Sequence, residues 1–376
     1  MGNCSSIGSS NIEESKDCHE NMLYIQESPQ ESENPRLCSL HSRRGKKGPN
    51  QDAAILYQGY GVEEGVFYGV FDGHGRNGHI VSKLVRNRLS LLVLDQKSAH
   101  AALNTNATKE HDHEDEEAGL NGELVSTKTL HQWKQACSSA FKVMDKELKL
   151  QENLDSSCSG TTAVTIIQQG EDLIIANLGD SRAVLGTITE KGLTVIQLTT
   201  DLKPSLPREA ERIKKSNGRV FALKDEPHVQ RVWLPNDNLP GLAMARAFGD
   251  FQLKDYGLIA VPDISYHRLT ANDQFLVLAT DGIWDVLSNK QVASIVWSAE
   301  NEEEAAKAVV NAAVASWAKK FPTSKLDDCT VLCCFLQERR QNHHLLLPKE
   351  SHGFRNWIRI GGVGCFESES IGLDSN

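Results

Sequence analysis

The chain has 376 residues, 39% of them hydrophobic, and a formal charge of −10. That is enough apolar matter for one large domain with tails or for two smaller domains, and the acidic balance gives no electrostatic reason to expect a nucleic-acid partner. No apolar run approaches the roughly 18–20 uncharged residues that span a bilayer, and the nine cysteines are scattered, with no secretory signal ahead of them and no paired C-x-x-C units of a zinc knuckle, which points to a reducing, intracellular compartment.

The first residues, M-G-N-C-S-S, set Gly2 for myristoylation after removal of Met1, with Ser6 at the favoured position and Cys4 as a palmitoyl site. One acyl chain binds a membrane only marginally, whereas two anchor it. The other reading is an accidental Met-Gly start on a polar leader, since residues 1–35 have a disorder-like composition. Residues 65–71 read as the first strong strand and 80–94 as a helix. Between 99 and 123 the run K-E-H-D-H-E-D-E-E reads as a solvated acidic loop, because nothing around it would fix a metal's geometry. Helical spacing resumes over 130–150.

Four short β-rich runs follow, at 161–167, 172–177, 181–185 and 193–198, and their close spacing predicts an antiparallel meander. A helix over 207–216 starts with proline in its first turn and stops at Asn217-Gly218. Residues 220–241 are aperiodic and hold three prolines, which suggests a surface excursion that shapes substrate access. Strand 274–279, helices 286–296 and 302–319, and strand 330–336 complete the pattern. Cys333 and Cys334 in that last run read as small buried thiols. Strands and helices come in blocks, which favours an α+β layered domain. The tail 338–376 contains F-R-N-W-I-R-I, too short a stretch to separate membrane contact from packing.

The chemistry sits where apolar runs end. F-D-G-H-G at 71–75 has neither the spacing of an NTPase phosphate loop nor a dinucleotide fingerprint. What recurs is aspartate beside glycine: Asp72-Gly73, Gly179-Asp180, Gly249-Asp250 and Asp281-Gly282, with Asp327-Asp328 before the final strand. Each alone is an ordinary turn residue or cap. Together, carboxylates leaving apolar strands are costly unless compensated, and divalent cations with a taste for oxygen relieve that cost. Asp281 and Asp285, four apart, would share one helical face. His74 is suited to protonating a leaving oxygen, or it is a local hydrogen-bonding histidine. Lys46 and Lys47 would draw an anionic substrate, or form a solvated turn, with Asp52 in support. Arg182 and Arg246 read as ion-pair partners of Asp180 or Asp250.

G-P-N-Q-D at 48–52, V-F-D-G-H-G at 70–75, S-G-T-T-A at 159–163, N-L-G-D-S-R-A at 177–183, D-L-K-P at 201–204, A-R-A-F-G-D at 245–250, A-T-D-G-I-W-D at 279–285 and D-D-C-T-V at 327–331 resemble, in order and spacing, the metal-dependent serine/threonine phosphatases of the protein phosphatase 2C family. The similarity is greatest to plant members with an acylated leader. It implies a four-layer α-β-β-α sandwich, with two central antiparallel sheets flanked by helices. It implies two Mg²⁺ or Mn²⁺ ions, with Asp72 bridging both, the Gly73 carbonyl on one, and Asp281 and Asp327 on the other. A weaker third site would draw on Asp180, Asp281 and Asp285. A bridging hydroxide would attack phosphoserine or phosphothreonine in line, and His74 would protonate the leaving alkoxide.

Two positions depart from the family pattern. Lys47 stands where many members hold a phosphate-binding arginine, which keeps charge but gives up the bidentate fork. Gln51 replaces a glutamate near the metals. The resulting expectation is a leader at 1–40, a phosphatase domain at 41–337 and a tail at 338–376, with phosphorylated proteins as substrates. The enzyme would be a monomer, held by its lipid at the cytoplasmic face of the cell membrane with a cytosolic or nuclear pool. A catalytically silent scaffold and a hydrolase of small phosphoesters are the alternatives.

Overall fold

The computed structural model of the chain describes residues 21–26, 37–108, 121–323 and 325–337. Gly2, Cys4, the acidic run 109–117 and the tail 338–376 lie outside these residues. In chain order, β1 (Met22–Gln26), β2 (Cys38–Arg43), β3 (Asp52–Gln58) and β4 (Val66–His74) precede two long helices, α1 (Gly78–Thr108) and α2 (Asn121–Lys149). β5 (Gly160–Thr161), β6 (Ala163–Gln169), β7 (Asp172–Leu178), β8 (Arg182–Thr189) and β9 (Gly192–Gln197) lead to α3 (Pro207–Lys215). Then come β10 (Arg219–Ala222), β11 (Gln230–Trp233), β12 (Pro240–Leu242), β13 (Phe248–Gly249) and the single turn α4 (Phe251–Lys254). β14 (Asp263–Arg268), β15 (Asp273–Ala279), α5 (Asp281–Trp284), α6 (Asn289–Ser298), α7 (Ala305–Lys320) and β16 (Cys329–Phe335) complete the described chain.

Two sheets form the centre. One runs β1-β3-β4-β6-β7-β14, with β5 and β13 attached at β4, and the other runs β2-β16-β15-β8-β9. All pairs in them are antiparallel except β1 with β3. Strand periodicity of two explains the layers. In β3, Ala53, Ile55 and Tyr57 face Val85, Leu89, Trp133 and Phe141 of the helices, while Ala54 and Leu56 face the other sheet. In β15, Phe275, Val277 and Ala279 pack toward α6 and α7, and Leu276 and Leu278 point between the sheets. Central strands buried on both faces read as continuous apolar runs, and full burial of each large side chain contributes about 1.5–3 kcal/mol. The fold is thus an α+β sandwich of two sheets flanked by helices. No helix among the described residues is long and apolar enough to cross a membrane.

Several expectations change. The meander does not stay in one sheet: β6 and β7 belong to the first and β8 and β9 to the second. The crossing occurs at Gly179, whose φ of +102° suits glycine. Residues 220–241 form a small antiparallel sheet, β10-β11-β12, pinned by stacked Phe221 and Trp233 rings 4.9 Å apart. The loop expected over 99–123 is helical at both described ends, in α1 and α2. Met22–Gln26, inside the segment expected as leader, is a strand on the edge of the first sheet. Finally, Cys334 is not a free thiol. It faces the inter-sheet core, and the β2–β16 register sets it opposite Cys38, to which it is disulfide-bonded. Cys333, on the helix side, remains free and buried.

Candidate active site

Asp72 stands near the end of β4, where the strand emerges from the core. Its backbone is clamped by Thr162: the Asp72 N–H donates to Thr162 Oγ1 at 2.9 Å and the Thr162 N–H to the Asp72 carbonyl at 2.9 Å. Thr162 Oγ1 in turn shares a 2.7 Å hydrogen bond with Ser181 Oγ. Asp52, its partner in β3, is buried and accepts from Thr280 Oγ1 at 2.9 Å. Asp281 begins α5 just beyond β15, and its carboxyl is near enough to that of Asp72 for its charge to raise that group's pKa.

From the last strand's approach, Asp327 Oδ2 accepts from Lys47 Nζ at 2.5 Å. Asp328 accepts from the Gly45 N–H at 2.7 Å and the Gln51 N–H at 2.8 Å, which staples the lysine-bearing loop to the base of β16. The Gln51 amide donates to the Gly75 carbonyl at 2.8 Å, so this neutral residue braces the F-D-G-H-G turn. Lys47, Gln51, Asp72, Gly73, His74, Asp281, Asp327 and Asp328 line one cavity of about 340 Å³, with Met244 at its wall just beyond β12. Six of the sequence-derived site residues, Lys47, Asp72, Gly73, His74, Asp281 and Asp327, therefore converge. Asp180 and Asp285 stand to one side of that cavity, bridged by Lys203, whose Nζ is 3.7 Å from Asp180 Oδ2 and 3.8 Å from Asp285 Oδ1.

The electrostatics follow from burying like charges together. Burial, reinforced by Asp281, Asp52 and Asp327, holds the Asp72 carboxyl well above the usual carboxylate range. Asp281 is raised by burial and then by Asp327, Asp180 and Asp285. Burial also pushes Asp180 up to about 6, although Lys203 pulls in the opposite direction. Asp285 rises for the same reason against the same lysine. Carboxyls that must keep protons to share a site form an all-oxygen donor set of the kind hard divalent cations take. Asp180 Oδ1 is buried with no hydrogen-bond partner among the described residues, and a cation would supply one. Among the described residues no three His, Cys, Asp or Glu side chains stand ready-made in metal-binding geometry. The fit with Mg²⁺ or Mn²⁺ therefore rests on the donor set and on that orphaned oxygen.

His74 Nε2 lies 2.6 Å from Asp250 Oδ2. Burial alone would lower the imidazole's pKa, but Asp250 outweighs it and the net shift is upward. Asp250, which its sequence marks only as one more strand-end acid, is thus the partner of His74. The two arginines do not pair with Asp180 or Asp250 as expected. Arg182 makes a two-pronged contact with Asp201, at 2.9 and 2.5 Å, and Arg246 does so with Glu209, at 3.0 and 2.7 Å. Asp180 and Asp250 are thereby left for other work. Gly160, unremarked within S-G-T-T-A, sits opposite His74 in the β4–β5 pair, and any side chain there would collide with the Asp250 carboxylate. Lys46 does not line this cavity.

The family described as Protein phosphatase 2C matches residues 37–320. The chain is 51% identical over 360 residues to Probable protein phosphatase 2C 12 of Oryza sativa subsp. japonica, covering 90% of this chain and 92% of that protein. Over 349 residues it is also 51% identical to Probable protein phosphatase 2C 72 of Arabidopsis thaliana, covering 91% and 99%. Among solved structures, serine-threonine phosphatase 2C from Toxoplasma gondii superposes with a TM-score of 0.70 at 26% identity, covering 81% of this chain and 96% of that one. With a matching profile over most of its length and relatives at half identity, the chain belongs to the protein phosphatase 2C family, a family of serine/threonine phosphatases.

Proposed function

We propose that this chain hydrolyses phosphoserine and phosphothreonine in proteins through a two-metal site on Asp72, the Gly73 carbonyl, Asp281 and Asp327, with a weaker third position at Asp180, Asp281 and Asp285. The observation that carries this reading is the convergence of Asp72, Asp281 and Asp327 in one cavity with Lys47 and with a histidine already braced by a carboxylate. Mg²⁺ or Mn²⁺, when bound, supplies a hydroxide nucleophile at neutral pH and positive charge against the phosphoryl oxygens. Lys47 adds a cation at the cavity wall, and its ion pair with Asp327 fixes its direction. Water oxygen bonds to phosphorus as the ester P–O bond breaks, and no phosphoenzyme is needed. His74 gives its proton to the departing serine or threonine oxygen, and Asp250 steadies the imidazolium beforehand.

The M-G-N-C-S-S start supports a second part of the reading. Acyl groups on Gly2 and Cys4 tether the enzyme, a monomer, to the cytoplasmic face of the cell membrane. The purified full-length protein is expected to dephosphorylate a phosphothreonine peptide with Mn²⁺, to stop with a chelator, and to lose nearly all activity in Asp72→Asn. Loss of a direct ligand should exceed the roughly 10- to 100-fold fall in metal affinity seen for outer-shell partners. Turnover that survives the chelator would overturn the mechanism, and inactivity under every metal condition would favour a scaffold. Gly2→Ala should move the protein from membrane to soluble fractions, and unchanged fractionation would refute the tether.

A further inference from the structure

Asp250 reaches His74 from a turn in which two consecutive residues, Gly249 at φ +76° and Asp250 at φ +51°, hold left-handed backbone. Such a turn keeps its shape only where surrounding bonds over-determine it. One of the groups that does so belongs to a distant helix. Asp145, one turn from the end of α2, accepts the Gly249 N–H through Oδ1 at 3.0 Å and holds the Lys254 ammonium with both oxygens, at 3.1 and 3.0 Å. Lys254, the last residue of α4, donates in turn to the Ala247 carbonyl at 2.7 Å. The chain from 247 to 254 is thereby drawn around Asp250 and fastened on both sides of it by one carboxylate. Four residues earlier on the same helical face, the Phe141 ring packs against that of Phe248, with centroids 5.1 Å apart.

Neither Asp145 nor Lys254 lines the catalytic cavity. Each side chain is only 17% exposed, and burial works against both charges, raising the pKa of the Asp145 carboxyl and lowering that of the Lys254 ammonium. A buried pair of this kind returns little net stability, so its consequence is geometric. Carboxylate 145, ammonium 254, carboxylate 250 and imidazole 74 follow one another from α2 to the cavity wall. Asp72 and Lys47 have their own supports in Thr162 and Asp327.

We propose that Asp145 is a positioning residue of the phosphatase reaction: by holding Gly249 and Lys254 it sets where the Asp250 carboxylate meets His74, and so aligns the imidazole with the leaving oxygen. The inference rests on His74 acting as the proton donor, as proposed above. Without the Asp145 carboxylate the 249–250 turn loses its fastening on both sides, and a displacement of about 1 Å at a reacting group costs on the order of 10²-fold. Because Asp72 and Lys47 are held separately, the loss falls on proton delivery to the departing serine or threonine oxygen and spares the other parts of the site.

The test compares the full-length protein, with Mn²⁺, to its Asp145→Ala, Asp145→Asn and His74→Ala variants on two substrates: a phosphothreonine peptide, and p-nitrophenyl phosphate, whose leaving group departs without a proton. Asp145→Ala should lower kcat on the peptide by about tenfold to a hundredfold with KM nearly unchanged, and on the aryl ester by no more than about twofold. Asparagine keeps an acceptor for the Gly249 N–H, so Asp145→Asn should recover part of the loss. Equal losses on the two substrates, or no loss on either, overturn the proposal. Should the alanine variant fail to give a cooperative urea transition, the asparagine variant decides alone: a loss selective for the peptide supports the proposal, and an equal or absent loss overturns it. His74→Ala separates the two readings. If its loss is selective for the peptide and that of the Asp145 variants is not, only the role of Asp145 falls. If its own loss is equal on both substrates, the proton-donor reading falls and this inference with it.

Discussion

His74 and Asp250, 176 residues apart, meet through a 2.6 Å contact between Nε2 and Oδ2. Asp250 reaches it from a left-handed backbone, φ +51°, with its N–H on the Ser159 carbonyl at 3.0 Å. A non-glycine residue held there carries a cost that the surrounding bonds must offset. If the carboxylate steadies an imidazolium proton donor, Asp250→Asn should slow turnover of a phosphothreonine peptide by on the order of 10²-fold, within the range assigned to general acids. Hydrolysis of p-nitrophenyl phosphate, whose leaving group departs without a proton, should fall much less. Equal losses on the two substrates would show a purely architectural role.

This pair also shows where the sequence stops being legible. Strand-end aspartates announce themselves locally, since a carboxylate beside glycine at the end of an apolar run is visible in a few residues. Strands β4, β15 and β16 are visible for the same reason: burial on both faces leaves unbroken apolar runs. Asp250's task depends on which distant side chain it meets, and no local pattern encodes that. β3 opens with Asp52 and two alanines, a weak strand signal, and becomes a central strand through its neighbours. The β10-β11-β12 sheet is hidden among prolines and charges and is held by the Phe221–Trp233 stack and by Arg219, which donates to the Leu234 carbonyl at 2.8 Å.

Stability should depend on pH and metal together. Unfolded aspartates titrate near 3.9, whereas Asp180 in the folded chain is pushed up to about 6 and Asp72 and Asp281 are raised as well. Between those values the folded state binds more protons than the unfolded, so metal-free stability contributed by these groups falls as pH rises through the window. A divalent cation takes the deprotonated carboxylates and reverses the loss, by about 2.7 kcal/mol per site at a hundredfold excess over Kd. In thermal melts, the Mn²⁺-induced rise in Tm should be larger at about pH 7.5 than at about pH 5. A metal effect that is equal at both pH values would contradict this account of the cluster.

Lys203 is a tethered cation between Asp180 and Asp285, at 3.7 and 3.8 Å. A divalent ion at those two carboxylates must work against this ammonium or displace it. Lys203→Met removes the competitor and the repulsion, so calorimetric titration should show the weakest Mn²⁺ event tightening by on the order of tenfold, with the tighter events changed less. Unchanged or weakened binding of that last ion would mean that Lys203 supports the site instead of competing for it.

Glu209 on α3 has a side chain only 4% exposed and accepts from two guanidiniums: Arg212 Nη1 at 2.7 Å, and Arg246 Nε and Nη2 at 3.0 and 2.7 Å. Arg212 continues to the Ala245 carbonyl at 2.7 Å and the Gly257 carbonyl at 2.8 Å, and Arg246 to that of Val261 at 2.9 Å. The carboxylate thus ties α3 to the A-R-A-F-G-D segment that ends at Asp250. Burial works to raise its pKa, but Arg246 and Arg212 prevail and the net shift is downward. Its stabilising contribution is therefore present at neutral pH and lost as pH falls below the usual carboxylate range. Glu209→Ala strands two partly buried cations and should cost about 3–5 kcal/mol in urea unfolding. Glu209→Gln keeps an acceptor oxygen and should cost less. The alanine variant should also slow phosphothreonine turnover more than p-nitrophenyl phosphate turnover, because the segment it loosens carries His74's partner. A loss below about 1 kcal/mol would place this pair network among exposed ion pairs that contribute little.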